Sequence, residues 1–374
     1  MGPHTKASRI MSKTSLTVVL SLLAAVPAAN ADEFQVTNLV SNQTGVAQVT
    51  DPDLVNAWGI SASATSPIWV SDNGTDVATL YSISGGTVSK VSLTVSVPGG
   101  LTGQVFNSGA GGGAFNGDDF LFVSQNGTVS GWRGSLGTTA ETLVAGSSAN
   151  DYTGVAYGTV GSNSYLYAAN FETGNIDVIP SGGAPALSGN FTDPNLPADY
   201  APFNIQDIGG LLYVTYAEQD GSNAVDGAGL GFVDVFDLNG NFVERLTSNG
   251  PLDAPWGLAL APAGFGEFAG DLLVGNHGDG EIDAYSTVNG AFEGALDGTT
   301  GSPLTLDGLW GLQFGNGGSG GNAGTLYFTS GPDDGVNGLF GSLTVPAAVP
   351  EPASLFLLAG LLPVLAWLRR RRVV

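Results

Sequence analysis

The residues best suited to chemistry in this chain are aspartates, asparagines and one histidine, set in short polar clusters. They are Asp51, Asp53 and Asn56, then Asp72 and Asn73, Gln125 and Asn126, Asp151, Asn170, Asp253, the trio Asn276, His277 and Asp279, and Asp307. Carboxylate and amide oxygens grouped with backbone carbonyls suit a hard cation such as calcium, which takes oxygen ligands in a loose shell. The run Asp72-Asn73-Gly74-Thr75-Asp76 reads as half of a calcium loop, yet it lacks the loop's closing glutamate and falls where a hairpin turn is required. His277 is the only histidine after Ala31. With Asp279 it forms a candidate base, or a polar turn. With that single histidine and no cysteine, thiol nucleophiles, disulfides and multi-histidine zinc sites are excluded in the body.

Two phrases recur in fixed order and would position these residues. The first is centred on Gly59, Gly103, Gly154, Asn204, Gly257 and Gly311, with steps of 44, 51, 50, 53 and 54 residues. The second is a compact apolar strand ending in a polar residue: Ile68 to Asp72, Leu121 to Gln125, Leu166 to Asn170, Leu212 to Tyr216, Leu272 to Asn276 and Leu326 to Ser330. A third strand follows at Val77 to Ile83, Thr128 to Trp132, Asn175 to Ile179, Phe232 to Phe236 and Glu281 to Tyr285. Period-2 alternation bounded by turn residues signals antiparallel strands. Repeats of this length, each a small meander, predict an all-β, six-bladed β-propeller over residues 32–345.

The anchor glycine fits an innermost strand, where six blades crowd the axis and a side chain would block close approach. Ring closure requires Phe34 to Val40 to pair beside Leu339 to Val345, which removes the exposed edges. In each meander the loop entering the first strand and the loop leaving the second lie at the same end. The polar clusters should therefore ring one channel mouth, made of Asn56, Asp72, Asn73, Gln125, Asn126, Asn276 and His277 together with the neighbouring aspartates. Trp58, Trp256 and Trp310 beside the anchors are placed for burial between blades or for stacking on sugars at that mouth.

Both termini carry signals. Lys6, Arg9 and Lys13 precede an apolar run from Leu16 to Val26, and Ala29-Asn30-Ala31 offers a signal-peptidase site, so residues 1–31 read as a signal peptide with Asp32 as the mature start. Residues 346–374 hold Val349-Pro350-Glu351-Pro352, an apolar stretch from Ala353 to Leu368 that predicts a short hydrophobic helix, and Arg369, Arg370, Arg371 and Arg372. The arginines favour the cytoplasmic side, which places the body across the inner membrane. Between the signals stand three basic residues, Lys90, Arg133 and Arg245, against 32 acidic ones, a balance of −29. Such a body repels nucleic acid and anionic lipid, so membrane contact is expected only through the tail.

The tail closely resembles the PEP-CTERM sorting signal of Gram-negative, biofilm-forming bacteria. That resemblance implies cutting near Pro350, Glu351 and Pro352 by an exosortase, with signal peptidase as the other processing enzyme. The body resembles the NHL and gluconolactonase-type six-bladed propellers, and a group of bacterial propellers that often end in PEP-CTERM tails. Gluconolactonase-type members hold a divalent metal with a Glu, two Asn and an Asp, and use it to polarise a lactone carbonyl. By that likeness Asn170, Asn204 and Asp253 or Asp307 stand in as metal ligands, with calcium as the implied ion, while no glutamate matches. A quinone-dependent sugar dehydrogenase fits least, since such propellers need basic and histidine residues around the cofactor. The expectation is an exported surface or extracellular-matrix protein that binds polysaccharide or protein without catalysis. A metal-dependent lactonase is the alternative.

Overall fold

The computed structural model describes residues 32–345; the expected signal peptide and the expected sorting tail lie outside the described residues. Six sheets follow one another along the chain. Blade 1 is built from Ala57–Ser61, Ile68–Asp72, Val77–Ser84 and Thr87–Ser96, and blade 2 from Leu101–Phe106, Phe120–Ser124, Val129–Trp132 and Glu141–Val144. Blade 3 has three strands, Tyr152–Val160, Asn163–Asn170 and Asn175–Pro180. Blade 4 holds Tyr200–Ile208, Leu211–Asp220, Gly231–Asp237 and Phe242–Ser248, and blade 5 holds Pro255–Leu260, Leu272–Asn276, Ile282–Tyr285 and Phe292–Ala295. Blade 6 takes Leu309–Phe314, Leu326–Ser330 and Leu339–Thr344, and its outer strand is Glu33–Ser41 from the start of the body.

This closing strand pairs antiparallel with Leu339–Thr344, Val36 opposite Leu343 and Val40 opposite Phe340. The expected closure is thus present, and it leaves no edge between first and last repeats. Each innermost strand packs on the next, and Leu309–Phe314 packs back on Ala57–Ser61.

Second strands are mostly apolar and end in a polar residue, with both faces covered by neighbouring blades: Ile68–Asp72, Phe120–Ser124, Leu272–Asn276 and Leu326–Ser330 are buried at every residue. Outer strands such as Thr87–Ser96 and Phe242–Ser248 alternate or stay exposed. Six apolar clusters fill the six blade interfaces, and a seventh lies on the axis.

The anchor glycines sit where neighbouring blades meet at the axis. A Cβ on Gly59 would stand 2.5 Å from the Thr102 carbonyl oxygen of blade 2, one on Gly103 2.9 Å from the Val155 nitrogen of blade 3, and one on Gly257 2.6 Å from the Trp310 oxygen of blade 6. Asn204 replaces glycine because its side chain bridges instead of colliding. It fills the space left by Gly154 and donates from Nδ2 to the Trp256 carbonyl at 2.8 Å. At Gly311 a Cβ would meet Ile60 Cγ2, Thr329 Oγ1 and the Trp58 oxygen, all at 2.7 Å. Gly311→Ala is expected to destabilise the ring by about 1–3 kcal/mol through overpacking. Denaturant unfolding would measure it, and a loss within error of zero would show that the blades can part.

Candidate functional site

The end of the channel expected to carry the mouth is plugged by aromatic side chains. Trp58, Phe203, Trp256 and Trp310, from blades 1, 4, 5 and 6, stand near the start of their innermost strands, and each is buried. Trp58 stacks on Trp310 at 3.6 Å, and Trp58 meets Trp256 edge-on at 6.4 Å although blade 6 separates their blades. Phe203 reaches Trp310 at 5.8 Å past blade 5, and the Trp256 indole nitrogen donates to the Thr153 oxygen past blade 4. Contacts that skip a blade are possible only across the axis, so these rings close it. The tryptophans therefore occupy the axis itself, rather than the blade interfaces or an open mouth.

The polar residues around this plug are held by local partners. Asn56 donates to Asn73 at 3.0 Å and Asn73 to Gln125 at 3.1 Å, an amide chain from blade 1 to blade 2. Asn126 accepts from the Thr128 backbone. Asn170 and Asn276 end the second strands of blades 3 and 5, and their Nδ2 groups donate to Asp177 at 2.8 Å and Asp283 at 2.9 Å on the adjoining third strands. Blade 1 inverts that pairing, with Asp72 ending the second strand and Thr79 opposite Val70 on the third. Asp72 is fully buried with neither oxygen partnered, and burial pushes its carboxyl well above the ordinary range. His277 lies not against Asp279 but flat on Trp310 at 3.8 Å, with Nδ1 3.1 Å from the Leu309 carbonyl. Burial lowers its pKa, and that carbonyl with Asp226, Asp253 and Asp307 pulls it partly back.

The four metal candidates are committed to separate partners. Asn170 Oδ1 accepts from the Asp151 amide, Asn204 reaches Trp256, Asp253 Oδ1 accepts from Gly227 and Asp307 Oδ2 from Asp333. Among the described residues, no group of three or more histidine and carboxylate side chains is arranged to hold an ion. Each of the four candidates thus already holds a hydrogen-bond partner within the protein. All three described cations are also engaged: Lys90 with Asp51 and Asp53, Arg133 with Asp118 and Glu141, and Arg245 with Asp193 and Asp234.

The open end is the opposite one. Below the plug the channel widens into a funnel of about 610 Å³, lined by the middle and distal halves of the innermost strands. Its lining includes the anchors Gly59, Gly103, Asn204 and Gly311, together with Trp256. Gln104, Gln206 and Gln313, from blades 2, 4 and 6, contribute its amide groups. Gln104 Nε2 donates to the Gly59 oxygen at 3.1 Å, while its buried Oε1 has no partner. With its amide oriented to satisfy both neighbours, the Gln313 nitrogen donates to the Ile60 oxygen at 3.1 Å and its oxygen accepts from the Ala62 amide at 3.2 Å. Gln206 is half-buried, and Asp207, which accepts from the Gly210 amide at 2.8 Å, is the one charged residue in the lining. These glutamines were passed over in the sequence. Their signal is position: each stands one or two residues beyond an anchor.

No family model matches the sequence. The folds of a glucose dehydrogenase and of the PQQ-bound aldose sugar dehydrogenase from Streptomyces coelicolor superpose with TM-scores of 0.51 and 0.50, at 13% and 16% identity, over 84% of this chain and all of theirs. That likeness establishes the propeller fold alone. Two proteins of Acanthamoeba polyphaga mimivirus, both described as uncharacterised, are 34% and 35% identical to it over 334 residues, covering 83% of this chain and 80% and 85% of theirs. The chain therefore belongs to the same family as these two mimivirus proteins.

Proposed function

We propose that this is an exported propeller, held at the cell surface or in the extracellular matrix, that binds an uncharged polar ligand in its funnel without transforming it. The observation that carries the binding half is the funnel itself, about 610 Å³ and lined by the side chains of Gln104, Gln206, Gln313 and Asp207 among apolar residues such as Val105, Phe106 and Leu312.

Export is supported by the order of basic, apolar and small-residue zones up to Ala31, and by the contacts of the residue that follows. Asp32 N lies 2.9 Å from Glu267 Oε1, and Glu267 N donates back to the Asp32 carboxylate at 2.8 Å. Signal-peptidase cleavage after Ala31 would convert that amide into an ammonium beside a carboxylate, so the new charge meets a partner already in place. The PEP-CTERM-like segment at Val349, Pro350, Glu351 and Pro352 and the Arg369 to Arg372 cluster suit exosortase sorting, with extracellular polysaccharide or protein as the eventual partner.

Intact-mass and N-terminal analysis of protein recovered outside the inner membrane is expected to show a chain starting at Asp32; recovery of the uncut chain from the cytosol would remove the export half. For the binding half, calorimetric titration with neutral disaccharides should give saturable heat that Gln206→Trp abolishes by filling the funnel. Chelator-sensitive hydrolysis of a lactone would instead return the enzyme reading.

A further inference from the structure

We propose that the funnel opens sideways into further subsites, so that the ligand is a linear, uncharged glycan whose end enters the channel and whose body lies between blades 2 and 3. This rests on the funnel being the ligand site. A second cavity of about 440 Å³ adjoins it, and the two share Ser108, Tyr157 and Thr159 in their walls. They form one cleft from the axis towards the rim, made by loops at the open end. The loop of residues 107–119 in blade 2 is one wall, and the hairpin at residues 160–163 of blade 3, with Ser181, is the other.

The lining selects the chemistry of the chain. Hydroxyls line the trench: Ser108, Thr159 and Ser162 stand beside Tyr157 and Ser164, which bond each other at 2.8 Å, and Ser181, which accepts from the Phe115 amide at 2.7 Å; a hydroxyl both donates and accepts, as sugar hydroxyls do. Beside them Gly112 and Gly113 present bare backbone, with nothing within 4 Å of where a Cβ would stand. Across both cavities Asp207 is the single charged residue, on a body whose balance is −29. A polyanion is repelled by that body, and a polycation finds no row of carboxylates in the trench. An extended peptide would ask for apolar side-chain pockets at alternate positions, and these walls are hydroxyl and glycine.

The test is calorimetry on the full chain with cello-, malto-, laminari- and xylo-oligosaccharides, each as the disaccharide and the hexasaccharide, and with a (Gly-Ser)6 peptide. At least one hexasaccharide should bind about tenfold or more tightly than its disaccharide. Gly112→Trp should erase that gain and leave the disaccharide affinity unchanged. Ser162→Trp, on an exposed turn, should do the same and serves if the first variant folds poorly. Equal affinity for both lengths overturns the trench while the funnel reading stands. Disaccharides that fail to bind, or bind unaltered by Gln206→Trp, overturn the funnel and the trench with it. Tighter binding of the peptide than of any hexasaccharide overturns the glycan assignment alone.

Discussion

Asp283→Asn is expected to raise the melting temperature at pH 8 and to leave it unchanged near pH 4. Asp283 is wholly buried on the third strand of blade 5, with Oδ2 accepting from Asn276 and Oδ1 unpartnered. Burial, with smaller contributions from Asp279 and Glu281, pushes its carboxyl up to about 7 from an ordinary value of 3.8. A carboxyl whose pKa is raised by folding makes the native state the tighter proton binder. Its stabilisation is complete below about pH 4 and is lost as pH rises through about 7, above which the fold must carry a buried charge. Three units correspond to about 4 kcal/mol, and solvent relaxation around the charge brings the expected gain to about 2–4 kcal/mol at pH 8. For a body of this length that is about 3–6 °C.

Asparagine keeps an oxygen for the Asn276 amide and removes the charge. The wild-type protein should itself lose stability between pH 4 and 7, because Asp234 is likewise raised to about 7 and Asp118 and Asp151 to about 6, each with burial as the first cause. Thermal melts of both proteins across pH 4 to 8 provide the check. A variant less stable than wild type at pH 8 would mean that the carboxylate is welcomed by its surroundings, and the account would fail.

Trp310→Ala should cost about 3–5 kcal/mol, as truncation of a buried indole does, or about 5–8 °C. Trp310 is the centre of the plug: it stacks on Trp58 and on His277, and meets Phe203 and Trp256 edge-on. Neighbours from separate blades cannot all collapse into the vacancy, since each is fixed by its own sheet, so the site should remain as an apolar hole. Millimolar indole is then expected to raise the melting temperature of the variant and not that of the wild type. A small loss with no response to indole would show that the aromatic rings are not packed as a core.

The acidity of the protein has two physical layers. Six acids are taken up by Lys90, Arg133 and Arg245, each cation held between two of them. Asp177, Asp234 and Asp283 share one register on the third strands, opposite Ala168, Val214 and Val274. Two of these, Asp177 and Asp283, accept from the asparagine that ends the preceding strand. Those asparagines are thus explained by the interior of a blade, although in the sequence they read as candidate cation ligands.

Blade number, strand order and ring closure were legible because they follow from local periodicity and from steric exclusion at single positions. Alternation marks a strand, the Gly59 to Gly311 series marks the crowded axis, and the apolar segment from Phe34 to Val40 could only close against the last repeat. Which end of the channel stays open was not legible. It depends on how side chains from separate repeats fill one shared volume, and Trp58, Phe203, Trp256 and Trp310 converge there from positions up to 252 residues apart. The same holds for the commitments of Asn170, Asp253, Asp307 and His277: a residue type reports what a side chain can bind, whereas only folding decides which partner reaches it first.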